Sequence, residues 1–512
     1  MLTTAQLSED QRRVAKHQKN PSKHLMVRSV PGSGKSSMLE FVIGQMSEVE
    51  KAHTKYIVYG KEPREAFNRR TNSDIAQTAN SLGYQTLRRG VKPRDLKSWM
   101  NFTKYQDIAA DLLDSGDFVC DKKDERKWIE SADRLCGLVR NNLVEASDYA
   151  GIERTLDAHA LEAPFKREES GPLIERMLKK GMRSADRQID FIDQVWLPHV
   201  MEMQPERYAR LLGDEVQDWS YAARSLIFKS GIDGAMTLVG DPMQAIYYWA
   251  GSPPNGMAEM QQETGADELG LDTCFRCPSS HVESVKPFAP QIRAAEGAKE
   301  GKIITLPIRE LYQKFGWKSG DLFLCRVNEP LVKVALKLMW MGVPVMMRNR
   351  GFGFEMSELV DTVDKKTNGD FDRFCEVLNT HRRHRLELMA RTNAGDQAIA
   401  TFLDKCSSLE AVYKYCYENN HRSLSGMKQQ IKKMFEAGAN RVILSSIHSA
   451  KGDEAPRVFL VDPGKSTTGK GSDPESIQQE KNLVFISRTR CTQQSEGYLF
   501  NLVNTKCMVG EF

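Results

Sequence analysis

The stretch Ser29-Val30-Pro31-Gly32-Ser33-Gly34-Lys35-Ser36 carries the residue types needed to hold a phosphate chain. An apolar run, Leu25-Met26-Val27, precedes it, and a helix-like run, Met38 to Ile43, follows it. Strand, glycine-rich turn, lysine, hydroxyl and helix is the order of a phosphate-binding loop, whose backbone N–H groups face phosphate oxygens. The expected binding residues are Gly32, Ser33, Gly34, Lys35, Ser36 and Ser37. Lys35 would bring a point charge to the β- and γ-phosphates, and the Ser36 hydroxyl would be a ligand for Mg²⁺. Ser29 stands where the standard pattern opens with glycine.

Asp214-Glu215-Val216-Gln217-Asp218 follows a second apolar run, Leu211-Leu212-Gly213. Adjacent carboxylates at a strand end suit nucleoside triphosphate hydrolysis: Asp214 to hold Mg²⁺, directly or through water, and Glu215 to polarise the attacking water. A third run ends in Val239-Gly240-Asp241-Pro242-Met243-Gln244. An amide such as Gln244 bonds a γ-phosphate without adding charge, so it can report which nucleotide is present. Tyr247, Tyr248 and Trp249 follow at once. Aromatics on a loop stack on bases at about 1–3 kcal/mol each. Any one of them alone reads as core filling; their place behind the sensing strand favours stacking.

These residues need two scaffolds. At 512 residues the chain exceeds one ordinary core. Short apolar runs ending in Asp read as buried parallel strands whose carboxyl ends carry the site. One α/β core holds the phosphate loop, Lys55–Tyr59, Arg210–Asp214 and Met236–Asp241. A second begins near Cys274 and holds Leu322–Cys325, Val343–Met347, Arg441–Leu444 and Arg457–Val461, with a helix over Glu329–Trp340. Charged, helical stretches interrupt both. The expected division is therefore a first core over 1–92 and 201–268 with an insert over 93–200, and a second core over 269–362 and 437–512 with a reduced insert over 363–436. Pro463–Ser476, rich in Gly, Ser, Thr and Lys, reads as a mobile loop.

Composition narrows the class. Hydrophobic residues are 40% and charged residues 27% of the chain, as in a soluble globular protein. No run is long enough to span a membrane, and Met1–Gln6 lacks the features of a signal peptide. A net charge of +4 permits nucleic-acid binding through local patches without demanding it. The ten cysteines form no framework, and Cys274 and Cys277 have no second pair with which to bind zinc. Free thiols fit a cytoplasmic location.

The loop, Glu215–Asp218 and Gly240–Trp249 together resemble a superfamily 1 DNA helicase of the UvrD/Rep/PcrA type, in which the loop often begins with a residue other than glycine. Further segments match in order. Leu7–Gln11 resembles the segment whose glutamine, here Gln11, reads adenine. Tyr59-Gly60-Lys61 and Thr78–Tyr84 resemble two single-strand-binding segments. Asp272–Arg276 resembles the segment whose aromatic, here Phe275, stacks on adenine and whose Arg276 reaches the γ-phosphate. Ser446–Glu454, containing His448 and Glu454, and Glu480–Arg490, ending in Thr489-Arg490, resemble the last two.

The resemblance implies two RecA-like P-loop NTPase cores with parallel sheets, each interrupted by a helical insert. It implies an ATP- and Mg²⁺-dependent DNA helicase or translocase that moves 3′-to-5′ on single-stranded DNA and unwinds duplex in replication, repair or recombination. Lys35, Asp214, Glu215, Gln244, Arg276 and Arg490 would serve catalysis; Gln11, Phe275 and Glu454 the nucleoside; Tyr59, Thr78, Tyr247, Trp249 and His448 the DNA. The implied partners are single-stranded DNA, single-/double-strand junctions and replication or repair proteins, with the chain a monomer in a bacterial or phage-infected cell. Departures are Asn80 in place of a histidine, Tyr248 and Ala250 in place of Gly and Arg, and Gly60 in place of Asn. None touches the phosphate chemistry. Asp190-Phe191-Ile192-Asp193 resembles a family segment read here as structural, and His381–Arg385 as a solvated helix face.

Overall fold

The computed structural model describes residues 6–19, 23–122, 124–159, 161, 164–391, 396–463, 474–494 and 497–503. Two compact units divide between Thr273 and Cys274. The strands are β1 (Leu25–Ser29), β2 (Thr54–Ile57), β3 (Ala76–Gln77), β4 (Arg210–Gly213), β5 (Ala235–Gly240), β6 (Asp267–Leu271), β7 (Thr273–Cys274), β8 (Arg293–Ala294), β9 (Lys302–Pro307), β10 (Leu322–Cys325), β11 (Val345–Met347), β12 (Val442–Ser446), β13 (Arg457–Val461) and β14 (Tyr498–Val503).

The first unit is built on a six-stranded sheet of order β3-β2-β4-β5-β1-β6, with every pairing parallel. In a parallel sheet all carboxyl ends lie on one edge, and β4, β5 and β1 are neighbours. The phosphate loop after β1, the acidic pair after β4 and the sensing segment after β5 therefore meet, although they lie far apart in sequence. Residues after β3 and before β4 form helices, among them Lys104–Asp114, Glu125–Asn141, Arg167–Arg183 and Asp193–Val200. They do not build a core of their own. Trp99, Trp128, Leu135 and Ile174 belong to one apolar cluster with Met26, Ile57, Leu211 and Leu238 of the sheet. The other face of the sheet packs Leu25 and Val27 on Met38, Leu39 and Val42 of the helix that follows the loop.

The second unit repeats the plan with a sheet of order β11-β12-β10-β13-β14-β9, again wholly parallel. All residues of β10 and β13 are buried, as central strands covered on both faces require. Helices Arg350–Thr367, Phe374–Arg391, Asp396–Glu418 and Leu424–Met434 share an apolar cluster with Phe323, Val442 and Phe459 of this sheet.

β10, β13 and the helix Glu329–Trp340 coincide with the expected runs. Two expected boundaries fall inside elements. Residue 268 lies within β6, which hydrogen-bonds to β1 and so keeps the first unit continuous to Thr273. Residue 363 lies within the helix Arg350–Thr367. β6, β9 and β14 carry exposed or half-exposed positions, and Asp267, Glu268, Lys302 and Asn501 border or interrupt their apolar residues. Most of the expected loop Pro463–Ser476 lies outside the described residues; a helix begins at Pro474. Among the described residues, no helix is long and apolar enough to cross a membrane.

Candidate functional site

In the first unit the loop after β1 turns through Gly32 and Gly34, whose φ values of 65° and 75° favour glycine. Gly34 caps the helix Lys35–Gly44. A side chain there would also meet Gln11, whose amide nitrogen would stand 2.7 Å from its Cβ. Gln11 Nε2 donates to the Ser33 carbonyl at 3.0 Å, and its Oε1 accepts from the Ser8 N–H at 3.0 Å. The structure thus uses the Gln11 amide to brace the loop and to cap its own helix. Ser29, the variant position, is buried, and its hydroxyl donates to the Gly240 carbonyl at 2.7 Å. Glycine could not make that bond, which ties the loop to the end of β5.

The carboxylates converge on this loop. Asp214 Oδ2 accepts from the Ser36 hydroxyl at 2.9 Å and from the Tyr56 hydroxyl at 2.8 Å. Lys35 Nζ lies 3.2 Å from Glu215 Oε1. Burial works to lower the Lys35 ammonium, but Glu215, Asp241 and Asp214 outweigh it and the net shift is upward. Burial, then the neighbouring Glu215, raises Asp214; burial also raises Asp241, against the pull of Lys35. Glu215 holds the left-handed backbone, φ 51°, a strained conformation for a glutamate. Gln244 Nε2 donates to Asp241 Oδ2 at 2.6 Å. Ser36 and Asp214 offer adjacent oxygen donors, the kind Mg²⁺ prefers alongside water and phosphate oxygens. The Ser33 hydroxyl is buried without a hydrogen-bond partner inside the loop, as fits a turn built to face an anion. Ser37 is exposed at the start of the same helix.

A cavity of about 690 Å³ lies in the same unit, lined in part by Tyr59, Arg64, Thr78, Asn80, Phe191 and Trp219. Tyr59 is 47% exposed, and its ring stacks on Tyr247 with centroids 6.0 Å apart. Burial and the nearby Asp218 push the Tyr59 hydroxyl up to about 12. Thr78 caps the helix Ala79–Val91 by accepting from Ser81 N–H. The Trp249 side chain lies outside the described residues. Phe191, read from sequence as structural, is 56% exposed on the cavity, and Asn80 Nδ2 donates to its carbonyl at 2.8 Å. Asp190 and Asp193 on either side of it are buried. One segment therefore contains both an internal anchor and a surface aromatic, which the residue string alone does not separate.

In the second unit Arg276 Nε lies 2.7 Å from Glu454 Oε2, while Arg276 Nη1 is buried without a hydrogen-bond partner. An orphaned guanidinium N–H is a donor suited to an anionic group. Glu454 is thus occupied by Arg276 here. Phe275 is 41% exposed, and its carbonyl accepts from Gln493 Nε2. Arg490 is buried, with Nε donating to the Ile486 carbonyl at 3.2 Å.

His448 sits beside Gln479 and near Arg326, which is forked onto Glu480 at 2.7–3.2 Å. Burial, then the Arg326 charge, lowers the His448 imidazole to about 3. Its ordinary value is about 6.5, so it is neutral in the folded chain wherever the unfolded chain begins to protonate it. Stability from this group is complete above about pH 6.5 and is lost as pH falls from there towards about 3. His448→Gln should make the loss between about pH 7 and pH 5 smaller by roughly 2 kcal/mol, read as the shift in urea midpoint. An unchanged pH dependence would show that the ring is solvated.

The first unit's fold and site define a nucleotide-binding core of the P-loop class. The UvrD/REP helicase N-terminal domain matches residues 7–265, just over half of the 512-residue chain. The chain belongs to this helicase family. It is also similar to DNA helicase II of Escherichia coli (strain K12), at 20% identity over 59% of this chain and 57% of that protein's length. The chain therefore spans little more than half of the curated relative it matches.

Proposed function

We propose that the chain is an ATP-dependent DNA helicase or translocase that couples ATP hydrolysis to movement on single-stranded DNA. The observation that carries this reading is the continuity of the segment Asp214–Asp218. It begins at the carboxylate bonded to Ser36 and ends at Asp218, on the wall of the aromatic cavity beside Tyr59. A change at one end has only a few peptide units to cross before it reaches the other.

In this reading Lys35 and the loop amides bind the phosphates, and Ser36 and Asp214 hold Mg²⁺, which when bound neutralises charge on phosphate oxygens. Glu215 orients and deprotonates the attacking water, and Gln244 senses the γ-phosphate. Arg276 and Arg490 are assigned the charge that develops on the transferred phosphoryl group. Tyr59, Phe191 and Tyr247 are assigned to the bases, with Thr78 beside them. A 3′-to-5′ polarity and roles in replication, repair or recombination rest on the family resemblance alone.

The test is ATP turnover by the full chain with no nucleic acid, with single-stranded DNA and with single-stranded RNA of matched length. Single-stranded DNA should raise kcat about tenfold or more, as coupling free energies of a few kcal/mol allow. Equal turnover in all three arms would defeat the proposal, and stimulation by RNA alone would redirect it.

A further inference from the structure

Glu215 must be aimed to work, and its own backbone does not aim it. The residue occupies a strained left-handed conformation at the end of β4, and its carboxylate reaches both Lys35 and a second group. That second group is Gln217, whose Nε2 donates to Glu215 Oε2 at 2.5 Å. The other end of the same amide is fixed: Gln217 Oε1 accepts from the backbone N–H of Asp241 at 3.0 Å. Gln217 is buried, so neither bond is exchanged freely with water.

The anchor is itself held by two further bonds. Gly240, one residue before Asp241, gives its carbonyl to the Ser29 hydroxyl of the phosphate loop. Its bare Cα makes room for the amide, since a Cβ there would stand 2.5 Å from Gln217 Oε1. Asp241 then binds Gln244, the expected γ-phosphate sensor. One amide thus spans from the sensing strand to the general base. Its two ends need a donor and an acceptor, which a glutamine supplies and an ionised glutamate does not.

We propose that Gln217 is a positioning residue for hydrolysis: it holds the Glu215 carboxylate to the end of β5, so that the base follows the sensing strand. This rests on the proposed ATP hydrolysis. The residue does not touch substrate in this role; it acts through Glu215.

Two near-isosteric variants of the full chain test it. Gln217→Glu keeps the acceptor for Asp241 N–H but sets a second carboxylate against Glu215. The charged groups around that pair are Lys35, Asp214 and Asp241, with the Tyr56 hydroxyl on Asp214. Two adjacent carboxylates share a proton at low pH. When protonated, the introduced carboxyl donates as the amide does; when ionised, it repels the base. Gln217→Met keeps the volume and has no strong donor at any pH. At about pH 8 and saturating single-stranded DNA, both should lower kcat about thirtyfold or more, with the ATP KM and DNA Kd within about threefold of the parent. At about pH 6 the Gln217→Glu deficit relative to the parent should shrink several-fold, while the Gln217→Met deficit stays.

Parent-like kcat in both variants overturns the inference. So do equal, pH-independent losses in kcat, KM, DNA binding and melting temperature, which would mark a purely structural role. A parent protein that hydrolyses ATP without responding to DNA defeats the helicase reading but leaves this one to be read on the unstimulated kcat. A parent that hydrolyses nothing removes both.

Discussion

Lys35→Ala should lower ATP turnover on the order of 10³-fold or more, while binding of single-stranded DNA in the absence of nucleotide survives. The first half follows from charge. Removing a preorganised cation from a site where charge develops costs rate far more than it would in water. Here Lys35 also faces three buried or half-buried carboxylates, Asp214, Glu215 and Asp241. Without it they repel one another with no cation between them, and the Asp214 and Asp241 carboxyls, already raised by burial, are pushed up further. The variant should therefore be less stable than the parent at neutral and alkaline pH, and the deficit should narrow as pH falls and the carboxyls take up protons. The second half follows from location. Lys35 is not among the residues lining the cavity of Tyr59, Thr78 and Phe191. Fluorescence anisotropy with a labelled single strand, beside a turnover assay, measures both. Loss of DNA binding in a folded Lys35→Ala protein would break the separation of the two sites.

The second large effect is expected away from the nucleotide. Lys104 and Asp193 are wholly buried, 2.5 Å apart, and Arg140, 1% exposed, contacts Asp190 at 2.8 Å and Asp193 at 3.1 Å. The Arg140 guanidinium lies 3.6 Å over the Tyr105 ring, whose hydroxyl donates to Asp193 at 2.9 Å. Such a cluster is satisfied only as a whole. Arg140→Met should cost about 3–5 kcal/mol, because it leaves Asp190 and Asp193 buried with one cation between them. Adding Asp190→Asn should return part of that loss, since it removes the carboxylate left without its partner. Urea unfolding of the three proteins measures it. A cost under about 1 kcal/mol would mean that water reaches the cluster. The same ions fix the backbone on both sides of Phe191, because Asp193 N–H donates to Asp190 at 2.7 Å and Asp190 N–H to Asp193 at 3.2 Å. The single variant should weaken single-strand binding as well as stability.

The loop around Lys35 is set by neighbouring residues, whereas the cluster around Arg140 is set by residues distant in the chain. The phosphate loop is contiguous: strand, two positive-φ glycines, lysine and hydroxyl are set by neighbouring residues, so their types and spacing announce the chemistry. The strands ending in Asp214 and Asp241, and the helix Glu329–Trp340, are legible for the same reason, as local runs with a period. Tyr56 on Asp214, Gln217 between Glu215 and Asp241, and the Lys104–Arg140–Asp190–Asp193 cluster carry no such mark. In the residue string Lys104 and Arg140 look like surface charges on amphipathic helices, and Phe191 like part of a buried segment.

By itself, then, the sequence determined the two parallel α/β cores, the family and the glycine-rich loop proposed to bind phosphate. Only the tertiary structure decided what holds them. The Ser29 hydroxyl finds the Gly240 carbonyl because β1 and β5 are adjacent strands, 211 residues apart in the chain. Lys104 finds Asp193 across 89 residues because two helices of the insert pack on one sheet face. Partners at that distance are fixed by strand order and helix packing, and no spacing in the residue string encodes either.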